Sequence, residues 1–166
     1  ASYFFTLNLA DRKTDSLTRH IHHLREAFRE VQSRHPFAIP AAVVLPDHLH
    51  CLWELPEGDS DFATRWGLIK AAFSRALPAT EPRSASRRAR GERGIWQRRF
   101  WEHRIRDDED YRRHVEYIHF NPVKHGHAVR AANWPYSSFK RFVDAGLYPE
   151  NWGMAIDTKE PAAGER

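Results

Sequence analysis

The sequence predicts an α+β domain: an antiparallel sheet of four to five strands with helices packed on it, in the split βαβ (ferredoxin/RRM-like) order. Three observations predict it. Segments of period two and segments of period three to four succeed one another as strand, helix, strand, strand, helix, strand, helix. The length, 166 residues, suits one domain able to bury its own core. Six Trp and ten Phe supply that core.

Each element follows from its residues. Tyr3 to Leu9 alternates and is aromatic-rich, which makes it the first strand. It begins almost at Ala1, so the natural domain is expected to start upstream. Ser16 opens a helix in which Leu17, Ile21, Leu24, Phe28 and Val31 share one face. His35-Pro36 ends it, because the residue before proline avoids the helical region. Phe37 to Leu45 is the second strand, Pro46-Asp47 a tight turn, and His48 to Leu55 the third strand and hairpin partner of the second. Pro56-Glu57-Gly58-Asp59 breaks that strand. Asp59, Ser60 or Asp61 caps a second helix carrying Phe62, Trp66, Ile69, Phe73 and Leu77. Residues 78–94 are polar and rich in Pro, Ser, Arg and Gly, and are read as a mobile basic loop. Ile95 to Ile105 is the fourth strand. Asp107 caps a third helix with an acidic first turn, and Asn121-Pro122 is expected to close it. Residues 1–152 then form a single domain and 153–166 a flexible tail. The helices are expected to share one face of the sheet.

The single cysteine, Cys51, excludes an intrachain disulfide and suits a reducing compartment. No run of about 18 apolar residues marks a membrane span. The expected location is the cytoplasm, with no membrane partner. The net charge is +4, unevenly placed. Between Arg83 and Arg106, nine Arg stand against Glu92 and Glu102, a local balance of +7. A basic run beside aromatic residues suits a polyanion such as nucleic acid, although a solvated Arg-rich loop has the same composition.

His48 and His50 are the most informative pair. Residues i and i+2 of a strand share a face, so the two imidazoles lie side by side as half of a divalent-metal site. In the third helix, Tyr111, Val115 and Ile118 form a core stripe. His114, Tyr117 and Asn121 form the neighbouring stripe. If that helix covers the His48–His50 face, a phenol and an amide oxygen join the imidazoles. An amide oxygen is an acceptable ligand for Mg²⁺ or Mn²⁺. Such a site suits phosphodiester chemistry, with Tyr117 as nucleophile. A phenol has a pKa near 10, so its proton must be drawn off by a metal or a nearby cation.

The chain resembles the single-tyrosine HUH transposases, specifically the REP-associated tyrosine transposases. The resemblance is carried by Val43-Val44-Leu45-Pro46-Asp47-His48-Leu49-His50, Gly94-Ile95-Trp96-Gln97-Arg98-Arg99-Phe100-Trp101-Glu102-His103, Tyr117-Ile118-His119-Phe120-Asn121-Pro122-Val123-Lys124 and Trp134-Pro135-Tyr136-Ser137-Ser138-Phe139. These pieces stand in the family's order from about Tyr3 to Trp152. The resemblance implies an HUH fold. It also implies cleavage and rejoining of single-stranded DNA at hairpin-forming repetitive extragenic palindromes. The nucleophile maps onto Tyr117, the metal ligands onto His48, His50 and Asn121, and the intermediate is a 5′-phosphotyrosine with a free 3′-hydroxyl. Other single-tyrosine relatives carry Gln at the position of Asn121. Family members usually carry a few more residues, rich in Tyr, Arg and Gly, before the first strand. If those residues read DNA, this sequence binds less specifically. A monomer is expected, as is the tendency of the subfamily.

Ordinary roles compete at every position. Cys51 alternates away from the histidines and is read as a core thiol. Tyr111 is the rival nucleophile but aligns with the core stripe. Arg98, Arg99, Arg104 and Lys124 are candidates for DNA phosphates, and Trp101 for stacking a base. His103 and His114 are candidate auxiliary residues. Arg83 to Arg93 would add sequence-independent attraction that weakens with salt. Trp134 and Phe139 are read as core. Two other functions remain open from the residues alone. One is a non-catalytic module gripping structured nucleic acid. The other is a zinc hydrolase built on His48, His50 and another His, which would need neither Tyr117 nor Asn121.

Overall fold

Strands β1 (Ser2–Asn8) and β3 (His48–Glu54) are buried along nearly their whole length, so both faces of the sheet must be covered. The structure, a computed structural model, describes residues 1–78 and 94–154. Around those strands stand α1 (Ser16–Arg19), α2 (Ile21–Arg34), β2 (Ala38–Val44), α3 (Phe62–Ala76), β4 (Trp101–Arg104), α4 (Asp108–Lys124), a 3-10 turn (Ala131–Asn133) and α5 (Phe139–Asp144). The four strands run β2-β3-β1-β4, every pair antiparallel. Most of the expected basic loop and tail, residues 79–93 and 155–166, lies outside the described residues.

The helices do not share one face, as the sequence led us to expect. On one face Phe5, Leu7, Cys51 and Trp53 pack with Leu24 and Val31 of α2 and Trp66, Ile69 and Phe73 of α3. Trp53 lies between Trp66, at 4.2 Å, and Phe37, at 4.1 Å between ring centres. On the other face Phe4, Val43 and Leu52 pack with Val115, Tyr117 and Ile118 of α4. The sheet is thus the middle of three layers, with its two central strands buried on both sides.

Three boundaries also differ from expectation. The first helix breaks at His20, giving α1 and α2. The fourth strand shrinks to Trp101–Arg104, preceded by an isolated bridge between Leu9 and Trp96. Helix α4 runs through Pro122 to Lys124. Proline forfeits one N–H, and so near the helix end the loss is limited. The true stop is Gly126, at φ 75°, where the His127 N–H closes onto the Pro122 carbonyl at 2.8 Å. Asp61 and Asp107 cap α3 and α4 as the sequence indicated, accepting from the Thr64 and Asp110 N–H groups.

Cys51 is buried among the first core, and burial pushes its thiol up. Phe139 is buried, while Trp134 is half-buried and donates its indole N–H to the Val44 carbonyl at 2.9 Å. Among the described residues, no helix is long and apolar enough to cross a membrane.

Candidate active site

The register builds the site. Across the sheet, Val43, His50, Thr6 and Trp101 form one row, and Asn8 opposes His48 in the next. Directly opposed residues share a face, so all of these look toward the α4 side. The rings of His48 and His50 lie 5.0 Å apart, nearly perpendicular. Both are buried, at 2% and 0% exposure.

Each imidazole is oriented through Nδ1. His48 Nδ1 donates to Asp47 Oδ1 at 2.8 Å, and Asp47 Oδ2 accepts from Arg12 at 2.6 Å. Burial alone would raise the Asp47 carboxyl, but the hydrogen bonds from Arg12 and His48 outweigh it and hold it below its ordinary value. His50 Nδ1 lies 2.7 Å from Thr6 Oγ1, both residues fully buried. With both Nδ1 atoms engaged, Nε2 is the nitrogen each ring presents, the outer-shell arrangement that metal-binding histidines use. The donor set of two Nε2 atoms and one amide oxygen fits a divalent ion that retains open positions.

Helix α4 lays its Tyr117 stripe over this pair. The Tyr117 ring meets His50 at 5.3 Å, and eight residues on the His125 ring meets His48 at 5.2 Å. Asn121 sits between them on the same helix and is fully buried. The Lys124 ammonium donates to the Tyr117 hydroxyl at 3.2 Å and lies 4.9 Å from its ring centre. Phe4 fills the space beneath, against His50 at 5.6 Å and Tyr117 at 6.1 Å. Tyr111 instead packs half-buried against the second core, where burial raises its phenol.

Of the expected DNA-contacting residues, Trp101 is 39% exposed on the site face, in the row of His50. Arg98 and Arg99 are exposed just before β4. The structure does not bring Arg104 to the site: it opposes Tyr3, so it falls on the opposite face. His103 opposes Phe4 and shares the site face, and it stacks on His114 at 4.7 Å. Phe4 stands between that pair and Tyr117. Burial lowers His114 below the usual imidazole value.

Thr6, Arg12, Asp47 and His125 were not singled out from sequence. Thr6 has a signal, since it sits mid-strand at the period of Phe4. His125 has one too, eight residues beyond Tyr117 on the same stripe, but only once the helix is known to pass Pro122.

No protein-family model matches the chain. The REP-associated tyrosine transposase of Escherichia coli is 47% identical over 165 residues, covering 99% of this chain and 91% of the relative. A Haemophilus influenzae protein of the same family name is 47% identical over 158 residues, 95% of this chain and 90% of the relative. A solved structure of the REP-associated tyrosine transposase bound to a REP hairpin superposes with a TM-score of 0.83 at 47% identity, over 99% of this chain and 91% of that one. With identity this high over almost its whole length, the chain belongs to the REP-associated tyrosine transposases.

Proposed function

We propose that this transposase cuts and rejoins single-stranded DNA at hairpin-forming REP sequences through a covalent 5′-phosphotyrosine on Tyr117. The observation that carries the reading is the placement of the Tyr117 phenol between His50 and the Lys124 ammonium. A relative of solved structure holds a REP hairpin, which supports the substrate class.

The Tyr117 oxygen attacks phosphorus. The bond to the 3′ oxygen breaks, and the leaving oxygen takes up a proton as a 3′-hydroxyl. Lys124 favours the phenolate as the phenol gives up its own proton. Tyr117 then holds the 5′-phosphate as a diester, so a 3′-hydroxyl can attack it and restore the strand without an external energy source. Mg²⁺ or Mn²⁺ held by His48, His50 and Asn121 would neutralise charge on the scissile phosphate. Thr6 and Asp47 orient the two imidazoles. Trp101 offers an exposed face for stacking a base, and Arg98 and Arg99 offer charge to backbone phosphates. All these groups come from one chain, so a monomer suffices. Its work lies on DNA of the nucleoid.

The test is a labelled hairpin oligonucleotide with Mn²⁺. Tyr117→Phe is expected to retain hairpin binding and lose both cleavage and covalent product. A covalent product surviving in Tyr117→Phe overturns the assignment. Binding by the wild type with no cleavage under either ion would favour a non-catalytic module.

A further inference from the structure

We propose that His103, Asp110 and His114 form a second divalent-cation site, separate from the His48–His50 pair and suited to a borderline ion such as Zn²⁺. One ligand atom from each residue lies within 4.8 Å of the other two. His103 comes from β4, and Asp110 and His114 are one turn apart on α4. Asp110 and His114 are 3% and 2% exposed.

The carboxylate is already held in place. Asp110 Oδ2 accepts from the Arg106 backbone N–H at 2.9 Å and from His103 Nε2 at 2.7 Å. Asp110 Oδ1 and His114 Nε2 are both buried with no hydrogen-bond partner. Leaving such atoms unsatisfied is costly, and a bound ion is one way of satisfying them. His114 Nδ1 donates to its own helix carbonyl at Asp110, 2.8 Å away, the orienting bond typical of a ligand histidine. His114 Nδ1 is also 3.2 Å from Asp110 Oδ1. The ion would replace the proton that His103 Nε2 shares with the carboxylate.

Two imidazoles and a carboxylate select a borderline transition ion over Mg²⁺. Zinc sits about 2.0–2.2 Å from such ligands. Tetrahedral ligands at that range stand about 3.4 Å apart, so separations of up to 4.8 Å must close by as much as roughly an ångström or more, and the His103 ring, stacked on His114 at an interplanar angle of 16°, must turn to aim Nε2 at the ion. His103 is on the edge strand with its side chain 24% exposed, and it has room to move inward. The Arg106 guanidinium, 3.6 Å from Asp110 Oδ2 with its side chain 70% exposed, can swing out. An ion here would tie β4, which carries Trp101, to α4, which carries Tyr117.

The experiment uses the full chain with His48→Ala and His50→Ala, which removes the first pair. Calorimetry with Zn²⁺ and the visible spectrum with Co²⁺ read out binding without reference to cleavage. One ion per chain is expected, and adding His103→Gln should weaken it at least a hundredfold. His103 is half-buried on an edge strand, and a thermal melt of the metal-free variant confirms that it folds. Absence of binding in the His48→Ala/His50→Ala chain overturns the proposal. Binding that persists undiminished with His103→Gln overturns it equally, and assigns the ion to other histidines such as His20, His23, His125 or His127.

Discussion

Replacing Thr6 by Val removes one hydroxyl and keeps the shape of the side chain. The hydroxyl lies 2.7 Å from His50 Nδ1 in a fully buried setting. When Nε2 serves an ion, Nδ1 carries the proton and donates to Thr6 Oγ1. The variant therefore strands a buried N–H, which costs about 1–3 kcal/mol of stability. It also frees the ring to rotate and lowers its basicity. Loss of such an outer-shell partner typically weakens metal affinity about 10–100-fold, or ~1.4–2.7 kcal/mol. The assay is Mn²⁺ titration by calorimetry, paired with urea unfolding of the metal-free protein. Thr6→Ser keeps the hydroxyl and should restore most of the affinity. A folded Thr6→Val protein that binds Mn²⁺ as tightly as the wild type would refute the role given to His50.

Other outcomes follow from the same geometry. Lys124→Met should slow cleavage about tenfold, because a charge 3.2 Å from the phenolate is worth ~1.3 kcal/mol even at the dielectric of water; an unchanged single-turnover rate would contradict it. Trp101→Ala should weaken binding of single-stranded DNA by about 1–3 kcal/mol with little change in unfolding, as expected of an exposed stacking platform; equal affinity would remove Trp101 from the DNA path. His119 is lowered to about 3, first by burial and then by Arg141, and lies against Phe142, Phe139 and Tyr148. The unfolded chain then binds its proton first, so stability is full above about 6.5 and falls by ~1.4 kcal/mol per unit below that until about 3. Between pH 7 and pH 5, His119→Gln should therefore lose about 2 kcal/mol less than the wild type in urea unfolding; identical losses would refute the burial argument.

Strand alternation and helical spacing made the meeting of His48, His50 and Tyr117 legible, because both depend only on local geometry. The double cover of the sheet was not legible, and β1 shows why. Tyr3, Phe5 and Leu7 alternate as an apolar face, while the other face, Phe4, Thr6 and Asn8, is half polar. In the fold Thr6 and Asn8 are buried, on the face that α4 covers. Their polarity marks a covered face and not the surface. Pro122 hid the last turn of α4 in the same way, and with it the approach of His125 to His48. Arg104 was placed with the basic residues by composition, but strand register turns it away. Contacts such as Arg12 with Asp47 span 35 residues and depend on tertiary closure.

The most direct test is the chemistry of Tyr117 itself. The wild-type chain is incubated with a REP hairpin oligonucleotide and Mn²⁺, quenched, digested with protease and nuclease, and sequenced by tandem mass spectrometry. A nucleotide phosphate esterified to the Tyr117 side chain is expected, with an unmodified 3′-hydroxyl on the released strand. An adduct on Tyr111, or a released strand bearing a free 5′-phosphate with no peptide attached, would contradict it.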